Sequence, residues 1–567
     1  MTSSAQALEI VVERHLAGLS LDRKVAQLVT VPIPDAAVGL DEQRLAEWLE
    51  FARDYGVGSF VVYGGTPAAV ARLTNRLQAV AELPLLFASD YEGGVGQQVD
   101  GATEFPANMA FAAAGSEELM YRAGSIAATE GRALGVHLTY CPVVDVSPDP
   151  TNPAESVRSF GAEIGLLGRL VRAHVRGLHD HGMLATAKHF PGRGDVRPMP
   201  GRPGWLLLDK PRDELERTEL AAFKHAIDAG VDFVMTEHIA VPALTEGSEL
   251  PASVEERLAR GWLRDRLGFN GILTSDDLWY DHVVARFGAE EVAVLAFEAG
   301  HDMLLKPRDP IATIAALVGA VRSGRIPSDR IDDAVRRVLA VKVRLGLFER
   351  RLVDESLVET LVGTPDHVAV AQEVADRSLT CLRRTGPTPS LLERPDGTYD
   401  LVNVSVEKTP GDPGPLALAK ELAQAFPGSR SYTLTDGTNA SDRAATLEAA
   451  AGAELLLVSL FVQRDKYGEP APLRATDMDV LEQLLMRKQG AAVVVAFGNP
   501  HLVRRLPEEG TFLVGYGERG WFGNQSTYFG SVIRAIRGEL TPAGRLPVHV
   551  GPRYPIGYRA PAAEEDA

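Results

Sequence analysis

Through its first 350 residues the chain alternates short apolar runs with longer amphipathic stretches. The apolar runs are Gln27–Val31, Ser59–Tyr63, Leu85–Ser89, His137–Val144, Leu184–Ala187, Phe233–Thr236, Gly271–Ser275 and Met303–Leu305. Each is strand-length, and near-continuous apolar content marks strands buried on both faces. Stretches with helical periodicity lie between them, such as Leu119–Ala133 and Asp213–Ala229. Eight such runs separated by helices predict a (β/α)8 barrel over residues 1–350. A helical connector and linker are expected over 351–394, where the end of the stretch, Arg383–Arg394, is rich in Pro and Thr. The strand–helix pattern then restarts with Tyr399–Val406, Leu455–Phe461, Ala492–Phe497 and Thr511–Tyr516. Residues 395–560 are therefore expected to form a smaller α/β three-layer sandwich, with Gly544–Val550 as an edge strand. An acidic tail, 561–567, is expected to fray.

Composition narrows the class. At 567 residues the chain exceeds one ordinary core. A formal charge of −18 argues against nucleic acid or an anionic membrane as partner, because both select a basic face. Two cysteines, Cys141 and Cys381, lie far apart, which predicts reduced thiols rather than a disulfide framework. The first residues carry no basic segment followed by an apolar core, and no apolar run reaches about 18 residues. A cytoplasmic protein, monomeric or homodimeric, is the expectation.

Functional side chains of such barrels sit just beyond the strand C-termini. Asp90 and Glu92 follow the third apolar run, Asp145 the fourth, and Lys188 and His189 the fifth. Glu237 and His238 follow the sixth, Asp276 and Asp277 the seventh. The fifth run leads into Lys188-His189-Phe190-Pro191-Gly192-Arg193-Gly194-Asp195. This segment resembles the Lys-His-Phe-Pro-Gly-His-Gly signature of family 3 glycoside hydrolases. Asp90-Tyr91-Glu92-Gly93-Gly94, Arg158-Ser159-Phe160-Gly161 and Thr274-Ser275-Asp276-Asp277-Leu278 resemble further motifs of that family, in its order. The nearest likeness is to its two-domain bacterial β-N-acetylglucosaminidases.

The resemblance implies a retaining, exo-acting hydrolase of β-N-acetylglucosaminides or related sugars. It implies Asp276 as the nucleophile, a role that suits a carboxylate ionised at neutral pH. It also places Asp90, Arg158, Lys188, His189 and His238 among sugar-binding residues. A buried ion-pair network is the structural alternative for the first four, and a satisfied core histidine for His238.

The departures carry as much information. The branch's Asp-Ser-His triplet, whose His is the acid/base, reads Met199-Pro200-Gly201 here, and Arg193 replaces the signature's second His. Glu237, standing where the family usually has Ala, is the leading substitute acid/base, followed by Asp195 on the rewritten loop and Glu469 in the second domain. Arg193, Arg197 and Arg202 add positive charge suited to an anionic sugar, or to solvated salt bridges. The alternatives are a β-glucosidase, a catalytically silent sugar-binding protein, or an enzyme of altered chemistry. No metal-ligand spacing or phosphate-cradling Gly-rich loop stands out, so neither metal nor cofactor is expected.

Overall fold

The computed structural model describes residues 2–36, 41–147, 156–384, 399–407, 411–462, 473–487, 491–517 and 526–561. Glu469, most of the Arg383–Arg394 linker and most of the acidic tail lie outside these residues. The chain divides into two compact units. The first comprises Met1–Thr103, Met120–Asp145 and Val171–His367; the second comprises Glu104–Leu119, Val146–Leu170 and Val368–Ala567.

The first unit is built on parallel strands β1 (Val29–Ile33), β2 (Ser59–Val62), β3 (Leu86–Ser89) and β4 (Leu138–Thr139), followed by β5 (Leu184–Phe190), β6 (Phe233–Thr236), β7 (Ile272–Ser275) and β8 (Leu304–Leu305). The sheet order is β7-β6-β5-β4-β3-β2-β1-β8. A parallel bridge between Thr274 and Met303 brings β7 against β8 and nearly closes the barrel. The strands are almost wholly buried, as their apolar sequences demand when helices cover the outside. The amphipathic outer helix Ser328–Arg344 supplies an apolar face for that covering.

Two local differences from the sequence reading have physical causes. The fourth strand is only Leu138–Thr139 rather than His137–Val144, because Pro142 withholds a ladder donor and only Val143 bridges onward to Lys188. The Asp213–Ala229 helix is two helices, Arg212–Arg217 and Glu219–Asp228, broken where Thr218 leaves helical geometry at φ −114°, ψ −90°.

The second unit holds a mixed sheet of β9 (Thr380–Arg383), β10 (Leu401–Glu407), β11 (Arg430–Leu434), β12 (Leu455–Phe461), β13 (Ala491–Phe497) and β14 (Thr511–Gly515). Its order is β9-β14-β13-β12-β10-β11, and only β9 runs antiparallel. The antiparallel edge is thus Thr380–Arg383, not Gly544–Val550. Pro547 interrupts the latter segment, and a Cβ at Gly544 would lie 2.0 Å from the Ser378 carbonyl oxygen, so the chain there packs without joining the ladder. The other edge, β11, is largely solvent-facing and polar, which hides it from an apolar-run reading.

Candidate active site

The C-terminal ends of β5, β6 and β7 lie side by side, with Phe190 paired to Thr236 and Thr236 to Ser275. Adjacent strands run about 4.8 Å apart. The residues beside those pairs are His189, Glu237 and Asp276, and one potential ligand atom of each lies within 4.8 Å of the others. All three side chains are buried. The convergence is thus a consequence of strand register.

Strand β5 changes register between Ala187 and Phe190. Such an irregularity lets consecutive side chains escape strict alternation. Lys188 Nζ accordingly donates to Asp90 Oδ1 at 2.6 Å and pairs with Glu92 Oε1 at 2.7 Å. His189 Nδ1 meets Asp145 Oδ2 at 2.7 Å, while Asp145 Oδ1 accepts from the amides of His189 and Arg193. Asp145 thereby holds the ring and the start of the following loop at once. Tyr63, at the end of β2, donates its hydroxyl to Asp90 Oδ2 at 3.0 Å. Burial pushes the Asp90 carboxyl up, but the charges of Lys188 and Lys306 outweigh it, and its pKa falls below the usual carboxylate value.

Glu237 and Asp276 form the most perturbed pair. Glu237 is pushed up to about 8, first by burial and then by the negative charge of Asp276. Arg193 Nη1 donates to Glu237 Oε2 at 3.0 Å and opposes that rise. Asp276 is held below the ordinary carboxylate value: burial works against ionisation, but His238, the Asp277 amide, Arg193 and a hydrogen bond from Glu237 favour it. The amide of Asp277 donates to Asp276 Oδ1 at 2.6 Å. At neutral pH the pair therefore carries one proton, on Glu237.

A further set of charges borders the pair. Lys306, just after β8, lies 3.1 Å from Asp277 Oδ2 and 4.5 Å from the Tyr63 ring centroid. Asp277 is pushed up to about 6 by burial, against the pull of Lys306. Trp279, 39% exposed, sits 5.3 Å from the Lys306 ammonium. Lys306 and Tyr63 both stand at barrel-strand ends, so the rule that found Asp90 and Asp276 also points to them.

The remaining predicted residues are placed as follows. His238 has both ring nitrogens engaged, Nδ1 with Ser253 Oγ at 2.7 Å and Nε2 with the Asp277 carbonyl at 3.0 Å. Arg158 lies in the second unit, where Asn108 Nδ2 donates to its carbonyl. Asp195 is ion-paired with Lys210, which also binds Glu219 at 2.7 Å, and is not part of the His189–Glu237–Asp276 cluster. Of the three loop arginines, Arg193 is committed to Glu237 and Arg202 to Glu249 at 2.9 Å, whereas Arg197 is exposed. Met199, which stands at the triplet's Asp position, is buried, and Trp205 packs edge-on to His282 and Phe287. The loop is anchored by pairing of Leu206–Leu207 with Ile239–Ala240.

His189, Glu237 and Asp276 could together offer three ligands to a metal ion. The donor set is not prepared for one, because Arg193 already supplies the cation at Glu237 and a proton occupies the carboxyl pair.

A parallel barrel with a one-proton carboxylate pair at its strand ends belongs to a class of acid–base active sites. The chain belongs to glycoside hydrolase family 3: the model of that family's N-terminal domain matches residues 20–341. It is 33% identical over 365 residues to a beta-N-acetylglucosaminidase/beta-glucosidase of Cellulomonas fimi, covering 62% of this chain and 64% of that protein. It is 27% identical over 375 residues to beta-hexosaminidase A of Pseudoalteromonas piscicida, covering 60% and 62% of the two. The chain thus spans just under two thirds of these relatives' length. The structure is similar to that of a family 3 beta-N-acetylglucosaminidase from Paenibacillus sp. str. FPU-7, with a TM-score of 0.81 and 30% identity over 94% of this chain and 99% of that one. It shares its fold with the beta-glucoside phosphorylase BglX at a TM-score of 0.82 and 23% identity, covering 96% of each chain. Among the described residues no helix is long and apolar enough to cross a membrane.

Proposed function

We propose that the protein is a retaining, exo-acting β-glycoside hydrolase of β-N-acetylglucosaminides or related sugars, with Asp276 as nucleophile and Glu237 as acid/base. The observation that carries this reading is the carboxyl pair, with oxygens within 4.8 Å of each other; the raised pKa of Glu237 and the lowered pKa of Asp276 support the assignment of acid and nucleophile. Retaining enzymes hold their two carboxyls about 5–5.5 Å apart, inverting enzymes about 6.5–9.5 Å. The pair stands on the short side of the retaining range, closer than the separation an inverting mechanism uses.

The chemistry follows from the charges. Asp276 attacks the anomeric carbon while Glu237 gives its proton to the departing glycosidic oxygen. Once Asp276 is esterified its negative charge is gone, and with it one cause of the raised Glu237 pKa. Glu237, now ionised, becomes a better base than acid and takes a proton from the attacking water. Arg193 stabilises that ionised form. His189, fixed by Asp145, and Lys188 with Asp90 offer donors and acceptors to sugar hydroxyls. For Arg158, a sugar-contacting role rests on the resemblance of its motif alone. His238 positions the chain at Asp277 through its carbonyl. The names of the two relatives and of the Paenibacillus structure support the N-acetylglucosaminide preference. Free, buried Cys141 and Cys381 fit a reducing, cytoplasmic setting.

The test compares wild type and Asp276→Asn on aryl β-N-acetylglucosaminides, aryl β-glucosides and unactivated disaccharides. Cleavage of both aryl and unactivated substrates, lost in the variant, supports the reading. Cleavage of aryl glycosides alone removes Glu237 as a working acid. A folded protein that binds sugar without turnover overturns the enzyme reading altogether.

A further inference from the structure

At the end of the barrel where the strands begin, away from Glu237 and Asp276, the first unit contains a cavity of about 650 Å³. That volume lies within the range of small-molecule pockets, about 300–1,000 Å³. Its wall combines Arg132, His137 and Arg350 with apolar Leu345, Leu352 and Leu361. Arg351 lines it too, with Nη1 donating to the Ala81 carbonyl at 2.8 Å. This end of a barrel ordinarily serves stability rather than chemistry, so three guanidinium groups on one cavity need a reason.

Arg132 closes the helix Glu117–Ala133. A cation there suits the helix dipole, yet its Nη1 is buried with no hydrogen-bond partner among the described residues. Neither Arg132 nor Arg350 forms an ion pair with a carboxylate of the described residues. Burial and the positive charge of Arg350 both push the Arg132 pKa down, so two like charges border the same cavity. Two carboxylates also line the cavity, Glu349 and Asp354. Asp354 feels the charge of Arg350 but is engaged in capping Ser356, accepting from its amide at 3.0 Å and its hydroxyl at 2.7 Å. His137 accepts from the Phe87 amide at Nδ1, 3.1 Å. That bond leaves the ring proton on Nε2, making His137 a neutral donor in the wall.

We propose that this cavity is a binding site for a small organic oxyanion, a phosphate or carboxylate head on a short apolar body. The head would lie between the Arg132 and Arg350 guanidiniums, which match planar or tetrahedral oxyanions in a forked geometry. His137 Nε2–H supplies a third donor, and the leucines cover the body. The site is independent of the glycosidase reading.

Titration calorimetry of the full chain with n-hexyl phosphate, hexanoate, inorganic phosphate and n-hexanol tests it. Saturable binding of hexyl phosphate or hexanoate is expected, and the tighter of the two identifies the head group. Arg132→Gln and, separately, the exposed Arg350→Gln should each weaken that binding by about tenfold or more, the usual scale of a lost charge-assisted hydrogen bond. Arg350→Gln also serves as the variant whose folding is not in question. Failure of both amphipathic anions to bind, equal binding of hexanol, or binding unaffected by either substitution would overturn the proposal.

Discussion

Replacing Glu237 by Gln keeps the shape of the side chain and removes its titration. The structure predicts opposite effects on stability and on catalysis. Glu237 shifts from an ordinary 4.5 to about 8 on folding. With the folded pKa raised, the protonated form is favoured in the native state. Its contribution to stability is complete below the unfolded value and declines as pH rises from about 4.5 through about 8. At 1.36 kcal/mol per pKa unit, that linkage removes about 2–3 kcal/mol between pH 6 and pH 9. Glu237→Gln should abolish this slope, because the amide oxygen still accepts from Arg193 and no charge develops beside Asp276. Denaturant unfolding at pH 6 and pH 9 checks it. Catalysis should move the other way. Hydrolysis of unactivated disaccharides should fall by about 10²- to 10⁴-fold, the usual contribution of a positioned proton donor, while aryl glycosides lose much less. The wild-type rate should drop as pH rises through about 8, and that limb should vanish in the variant. A limb that persists in Glu237→Gln, or equal losses on both substrate types, would refute Glu237 as the acid.

Other outcomes follow from neighbouring contacts. Arg193→Gln removes a charge that lowers the Glu237 pKa, so the basic limb of the pH–rate profile should move above 8, read with an unactivated disaccharide, whose cleavage needs the acid. Lys188→Met strands Asp90 and Glu92 in the wall, and an unfolding titration should show a loss of about 3–5 kcal/mol, the scale for an orphaned buried charge. Asp302, fully buried, receives Arg264, Arg330 and Arg337, so Asp302→Ala should lower stability on a similar scale, about 3–5 kcal/mol, measured by the same titration.

The site's chemistry is spread along the chain by design of the barrel. Each side chain arrives on a separate strand end, and the strand spacing sets their separation. Lys188 and His189 are adjacent in sequence yet serve different carboxylates, Asp90 and Asp145, because the strand changes register beside them. The loop from Gly192 to Asp209 illustrates the converse. Its arginines read from sequence as positive charge suited to an anionic sugar, whereas the folded loop spends Arg193 and Arg202 on Glu237 and Glu249.

Sequence alone determined the barrel, its strand–helix alternation and the four central strands of the second unit's sheet. Buried parallel strands must be apolar on both faces, so their positions are written as runs that need no partner to be seen. It also exposed the charged residues at the strand ends, because a charge beside such a run has few places to go but the rim. The edge strands Thr380–Arg383 and Arg430–Leu434 escaped it. An edge is held by main-chain hydrogen bonds to one neighbour, and those bonds leave little trace in side-chain pattern. Tertiary structure alone decided that Glu237 shares a proton with Asp276, that Arg193 turns inward, and that His238 is held at both ring nitrogens. Each depends on a distance across strands and on the exclusion of water, and a carboxyl's pKa is set by those surroundings rather than by its position in the chain.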